Sequence, residues 1–163
     1  MEFTIRPADE NDVAAIRAAH RRSVVALAAK DYPPEVIAEW GANQNPEAVQ
    51  RHRDTIRNGD EIVWVAERNG LVEGFAALAP ATSELRAVYV TDSAVSRGVG
   101  SELLRTAEQK AKDLGLKKLT LHSSITAKLF YEKHGYRNLG PGSHTMRSGR
   151  KMDCFLMEKN LSS

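Results

Sequence analysis

The chain has 163 residues, 42% of them apolar and 27% charged, with a formal net charge of +2. This composition suits a globular domain large enough to bury a core, and the small net charge argues against nucleic acid or a membrane surface as partner. The one cysteine, Cys154, excludes an internal disulfide and a cysteine-based metal framework. With no apolar stretch of spanning length and no signal-peptide pattern, the expectation is one domain over 1–163, in the cytoplasm and without metal.

Phe3 to Arg6 alternates and ends at Pro7, which reads as a first strand. Asp9 to Asp12 supply caps and first-turn acids for a helix whose stripe is Val13, Ile16, His20, Val24 and Leu27. His20 on that stripe reads as a core histidine. Tyr32-Pro33-Pro34 breaks the chain, and Pro34 suits the first turn of a second helix with Val36, Ile37 and Trp40 on one face. A polar helical piece from Pro46 to Arg57 stops at Asn58-Gly59. Ile62 to Ala66 is a continuous apolar strand, and Asn69-Gly70 turns it into a partner from Leu71 to Leu78. Leu85 to Val90 is the next strand, Leu119 to Leu121 another, and a helix from about Thr126 to His134 follows. Gly140 to Gly149 reads as a long glycine-rich loop before a last strand from Met152 to Met157.

Between the strand ending at Val90 and the strand at Leu119 lies the most informative stretch. Arg97-Gly98-Val99-Gly100-Ser101 opens a helix whose apolar face is Val99, Leu103, Leu104, Ala107, Ala111 and Leu114. A glycine turn at a helix start exposes N–H groups that have no helical partner and carry the positive end of the dipole, so it can cradle an anion, above all a phosphate. Two phosphate patterns fail: the dinucleotide motif needs glycine where Leu103 stands, and the P-loop needs Gly-Lys where Gly100-Ser101 stands.

What remains resembles the cofactor loop of the GNAT-type N-acetyltransferases, Gln/Arg-x-x-Gly-x-Gly/Ala. Gly98 and Gly100 match its second half, Arg97 stands where a basic residue is common, and Val95 departs at the first position. A second segment, Ala127-Lys128-Leu129-Phe130-Tyr131-Glu132-Lys133-His134-Gly135-Tyr136, resembles the family's Ala-x-x-Phe-Tyr-x-x-x-Gly-Phe/Tyr. The resemblance covers essentially the whole chain and implies a mixed, mostly antiparallel α/β sheet flanked by helices. A central β-α-β unit would bind acetyl-CoA. The finer likeness is to a poorly characterised bacterial subgroup.

The family pattern further implies transfer of an acetyl group to a primary amine, on a small molecule or a peptide, through a tetrahedral intermediate. The strand carrying Val88 and Val90 would splay from its neighbour and hold the pantetheine arm by backbone bonds, with an N–H near Val90 as oxyanion donor. The pyrophosphate would rest on Arg97, Gly98, Val99, Gly100 and Ser101, and Ser124 would contact the cofactor. Tyr131 matches the general acid for the leaving thiolate. Candidate bases are Glu84, then His122 and Glu73, because an amine of pKa about 10.4 is neutral in only about 1 in 2,500 molecules at pH 7. Tyr32 and Trp40 are candidates for the acceptor pocket, and the Gly140–Gly149 loop, with His144 and Arg147, for a cover on that side. The alternative of another class is a CoA-binding sensor or interaction module without catalysis. A homodimer is a candidate assembly.

Overall fold

A computed structural model describes residues 2–42 and 45–161. Its frame is one seven-stranded sheet made of β1 (Thr4–Pro7), β2 (Ile62–Arg68), β3 (Leu71–Ala79), β4 (Glu84–Val90), β5 (Lys118–Ser124), β6 (Arg137–Thr145) and β7 (Lys151–Asn160). The spatial order is β1-β2-β3-β4-β5-β7-β6, antiparallel throughout except between β4 and β5. The β2–β3 turn is the expected Asn-Gly hairpin, with φ of 54° at Asn69 and 77° at Gly70.

Helices cover both faces. α4 (Val99–Asp113) buries Val99, Leu103, Leu104, Ala107 and Ala111 on one face, joined by Tyr131 from the short α5 (Lys128–Lys133). The 3.6-residue spacing of those α4 side chains gives one continuous stripe, which is why the helix packs as a single edge on β3 and β4. The other face carries α1 (Val13–Ser23), whose Ile16 packs with Val63, Val65, Phe75 and Ala77. Asp9 caps the start of this helical run in a capping box with Asp12, and Asp12 is held by Arg6 at 2.9 Å. α2 (Pro34–Gly41) and α3 (Pro46–Arg57) follow, with Pro34 in the first turn of α2 and Asn45 accepting from Glu47 and Ala48 N–H at the start of α3.

Two features depart from the sequence reading. The stripe of α1 continues past Ser23 as a π-helical turn, Val24–Ala28, which buries Val24 and Ala28 and leaves Val25 exposed. The Gly140–Gly149 stretch is mostly strand: β6 runs to Thr145, and only residues 146–150 turn. Proline and glycine read as loop, but at a sheet edge Pro141 gives up no ladder bond that a neighbour needs. Beneath that hairpin a small core of Ala28, Tyr32, Val36, Met146 and Met152 ties it to α2. Among the described residues, no helix is long and apolar enough to cross a membrane.

Candidate active site

The sheet opens between β4 and β5. The two strands share one register pair, Glu84 with Thr120, reinforced by Thr120 N–H to Ser83 C=O at 3.0 Å. Beyond that point β4 bulges. Ala77 opposes Ala87 and Leu78 opposes Leu85, so Arg86 is the extra residue. A bulge bends its strand, and here the bend carries β4 away from β5. Thr91 N–H donates to Glu73 C=O at 2.9 Å, toward β3. Alternation along a strand then turns Val88 and Val90 the other way, so their N–H and C=O groups face the gap. A cavity of about 200 Å³ fills the opening. Its walls come from β4, His122 and Ser124 of β5, the Val24–Ala28 turn, Phe130 and Tyr131 of α5, and Gly100.

The glycine turn closes one end. Gly98 has φ of 82°, a conformation that side chains resist, and nothing lies within 4 Å of the Cβ it lacks. A Cβ on Gly100 would stand 3.4 Å from the Phe130 ring. The first helical bond runs from Glu102 N–H to Gly98 C=O, so the N–H groups of Val99, Gly100 and Ser101 precede it without helical partners. Ser101 Oγ lies 2.9 Å from His134 Nε2, and His134 Nδ1 lies 2.9 Å from Phe130 O. A carbonyl only accepts, so Nδ1 carries a proton toward Phe130 C=O. Arg97 reaches back to Ser93 C=O and to Glu2 rather than over the helix end.

Tyr131 is 6% exposed and lines the cavity. Burial pushes its phenol well above the usual value, so it holds its proton at neutral pH. His122 also lines the cavity, whereas Glu84 stands behind it, with Oε2 3.7 Å from His122 Nδ1 and Oε1 bonded by Arg86 Nε at 3.1 Å. Glu73 lies away from the cavity. It is buried at the foot of the glycine turn, where Arg68 donates to it at 2.8 Å and Ser93 and Thr91 also bond it. Ser124 lines the cavity while its Oγ accepts from Ala127 N–H at 3.1 Å.

The two residues expected on the acceptor side part company. Trp40 lines the cavity and also a second hollow beyond it. Tyr32 lines neither. Its hydroxyl donates to Asp153 C=O at 2.6 Å and accepts from Ile125 N–H at 2.8 Å, so it clamps the segment before α2 onto the β5–α5 turn. Thr126 adds a bond to Asp31 at 2.8 Å. His20 is not simple core either. Its ring meets Tyr89 at 4.7 Å and Trp40 at 6.1 Å and borders the second hollow.

Burial, with smaller contributions from Arg17 and His52, lowers the His20 pKa from 6.5 to about 4. The unfolded chain therefore takes up this proton first as pH falls. The contribution is fully present above pH 6.5 and is lost between 6.5 and 4. Urea unfolding is expected to show a loss of roughly 2–3 kcal/mol by pH 4.5 from this group. A His20→Gln variant should lack that part of the pH slope; an unchanged slope would show that His20 is not the source.

Arg86 at the bulge, the π-helical turn and Phe130 are site residues that sequence reasoning did not single out. The first two have no local signal, because a bulge and a slipped helical turn are both decided by packing. Phe130 was visible inside its motif but not as a wall. Among the described residues no group of three or more His, Cys, Asp or Glu could hold a metal ion.

Residues 28–159 match a family described as an acetyltransferase (GNAT) domain. The Bacillus subtilis (strain 168) protein YwnH, named as a candidate phosphinothricin acetyltransferase, is 28% identical across 98% of this chain and 100% of its own. The fold is similar to that of a GCN5-related N-acetyltransferase from Rhodopseudomonas palustris, with a TM-score of 0.85 and 26% identity over 98% of this chain and 96% of that one. It is also similar to a PaiA N-acetyltransferase from Thermoplasma acidophilum in complex with coenzyme A (TM-score 0.75, 22% identity, 98% and 99% covered).

Proposed function

The chain belongs to the GNAT acetyltransferase family, and from that premise we propose that it moves the acetyl group of acetyl-CoA directly onto a primary amine, through a tetrahedral intermediate. One observation carries the reading: β4 and β5 share a single pair and then part, leaving the Val88 and Val90 backbone turned into a cavity that runs from the glycine turn to Tyr131. The residues fit a CoA ester. Gly98 and Gly100 leave the helix end open, and Val99, Gly100 and Ser101 offer N–H groups to a pyrophosphate. Each such helix-end contact contributes about 0.3–2 kcal/mol, so several act together.

Because the turn follows the end of β4, an arm entering from it meets Val90 before Val88. We therefore assign Val90 to the pantetheine and shift the oxyanion donor to Val88, next to the bulge. His122, with Glu84 behind it, takes the proton lost by the attacking amine and passes it to solvent. Tyr131 donates its phenolic proton as the carbon–sulfur bond breaks and regains one from solvent. The site holds amine and thioester together, which removes the entropy of their encounter from the barrier. The reaction belongs in the cytoplasm, where acetyl-CoA is available.

Calorimetric titration with acetyl-CoA tests the cradle. One-site binding is expected, weakened about 100-fold or more in the Gly98→Val/Gly100→Val double variant, which loses the left-handed turn and meets Phe130. Release of thiol from acetyl-CoA with a panel of amines tests the chemistry. No heat with any CoA ester would overturn the reading.

A further inference from the structure

The second hollow lies between α1, α2 and the turn joining β6 to β7, and its polar lining among the described residues is Arg17, His20, Glu39, His144 and Arg147 with the indole of Trp40. Trp40 lines both spaces, and the His20 ring is 4.7 Å from the Tyr89 ring that faces the first, so the two hollows share one aromatic wall. An acceptor seated here is one side chain away from the opening between β4 and β5.

The charge of this hollow is one-sided. Two guanidinium groups, Arg17 and Arg147, line it. Among the described residues Glu39 is its one carboxylate, and that group is already engaged: Ser148 donates to it from N–H at 3.0 Å and from Oγ at 2.6 Å, and Arg150 Nε stands 3.6 Å away. Beside Arg17 stands a further guanidinium, Arg51, which adds positive charge, and Arg17 Nη1 lies 3.3 Å from His52 Nδ1. A polycationic acceptor would meet repulsion on this path. An oxyanion would meet planar donors matched to its two oxygens.

We infer that the acceptor is an amine that also carries an oxyanion, as an α-amino acid does, with that oxyanion held by Arg147 and Arg17 while the amine passes the edge of Trp40 into the β4–β5 opening. The inference rests on the acetyl-transfer reading above and narrows its acceptor. Carboxylate and phosphinate share the required geometry and are separated by the test.

The test compares thiol release from acetyl-CoA with the proteinogenic α-amino acids and phosphinothricin, each against its primary amide, and with spermidine. At least one free acid should exceed its amide about 10-fold or more in kcat/KM, as expected for loss of a hydrogen bond to a charged group. Arg147→Gln should raise KM for that acid about 10-fold or more while raising it less for the amide, and Arg147→Lys should recover part of the loss. In protein saturated with CoA, calorimetry with the same acids should give a heat that Arg147→Gln diminishes. That readout needs no chemistry, so a failure of acetyl transfer and a failure of oxyanion recognition are distinguishable. Preference for amides or spermidine, an equal KM rise for acid and amide, or no acid bound or acetylated would each overturn the inference.

Discussion

Replacing Tyr131 by Phe is expected to lower kcat by about 100-fold, the low end of what removal of a general acid costs. The dissociation constant for acetyl-CoA should change by no more than about twofold. The ring itself is structural: it packs edge-on against Phe130 at 5.3 Å and Tyr136 at 5.6 Å. Phenylalanine preserves those contacts and deletes only the hydroxyl of a residue that borders the cavity and that burial keeps protonated at neutral pH. A thiolate leaving into the same cleft would then form without that donor. Steady-state thiol release, paired with calorimetry, checks both halves of the expectation. An unchanged kcat would reduce Tyr131 to a packed aromatic and leave protonation of the thiolate to solvent.

Replacing Gly74 by Val should act on folding instead, with a loss of about 3 kcal/mol in urea unfolding. A Cβ at this position of β3 would stand 3.0 Å from the Tyr89 carbonyl oxygen, 3.1 Å from Leu103 Cδ1 and 3.2 Å from Val90 Cγ1. The backbone oxygen cannot retreat without disturbing the β3–β4 ladder, and Leu103 is fully buried in the core under α4. Alanine tests the same contact with one methyl and should lose about 1–2 kcal/mol. Such losses are large against the roughly 5–15 kcal/mol that holds a domain of ordinary stability. If Gly74→Ala were neutral, Leu103 would have absorbed the methyl by changing rotamer, and the close approach of α4 to the sheet would be adaptable.

What the sequence made legible was whatever is encoded locally. Asn69-Gly70 specifies its own left-handed turn, the α4 stripe repeats at helical spacing, and Gly98 marks a backbone that other residues avoid. The two motif segments therefore identified the fold and pointed to the end of the cleft to which the cofactor is assigned in our proposal. Features set by distant partners were not legible. β6 was hidden because Gly140, Pro141 and Gly142 signal a loop, and only the presence of β7 beside them makes a strand. Glu84 ranked first as base on its place at the strand start, but Arg86, freed by a bulge that no residue pattern announces, bonds it from one side and leaves His122 facing the cavity. Tyr32 looked like a pocket aromatic. Its hydroxyl partners, Ile125 N–H and Asp153 C=O, lie more than ninety residues away along the chain.

The single pair between β4 and β5 also bears on how the chain finds its fold. Parallel pairing is slow because a long connection must close before any ladder bond forms. Here that connection includes the whole of α4, yet only one residue pair and one additional bond depend on it. The β2–β3, β3–β4 and β6–β7 ladders are built between neighbours in sequence. The sheet is thus two antiparallel blocks that can zip separately and meet at one corner. The interruption that opens the cavity thus leaves few ladder contacts dependent on closing the connection through α4.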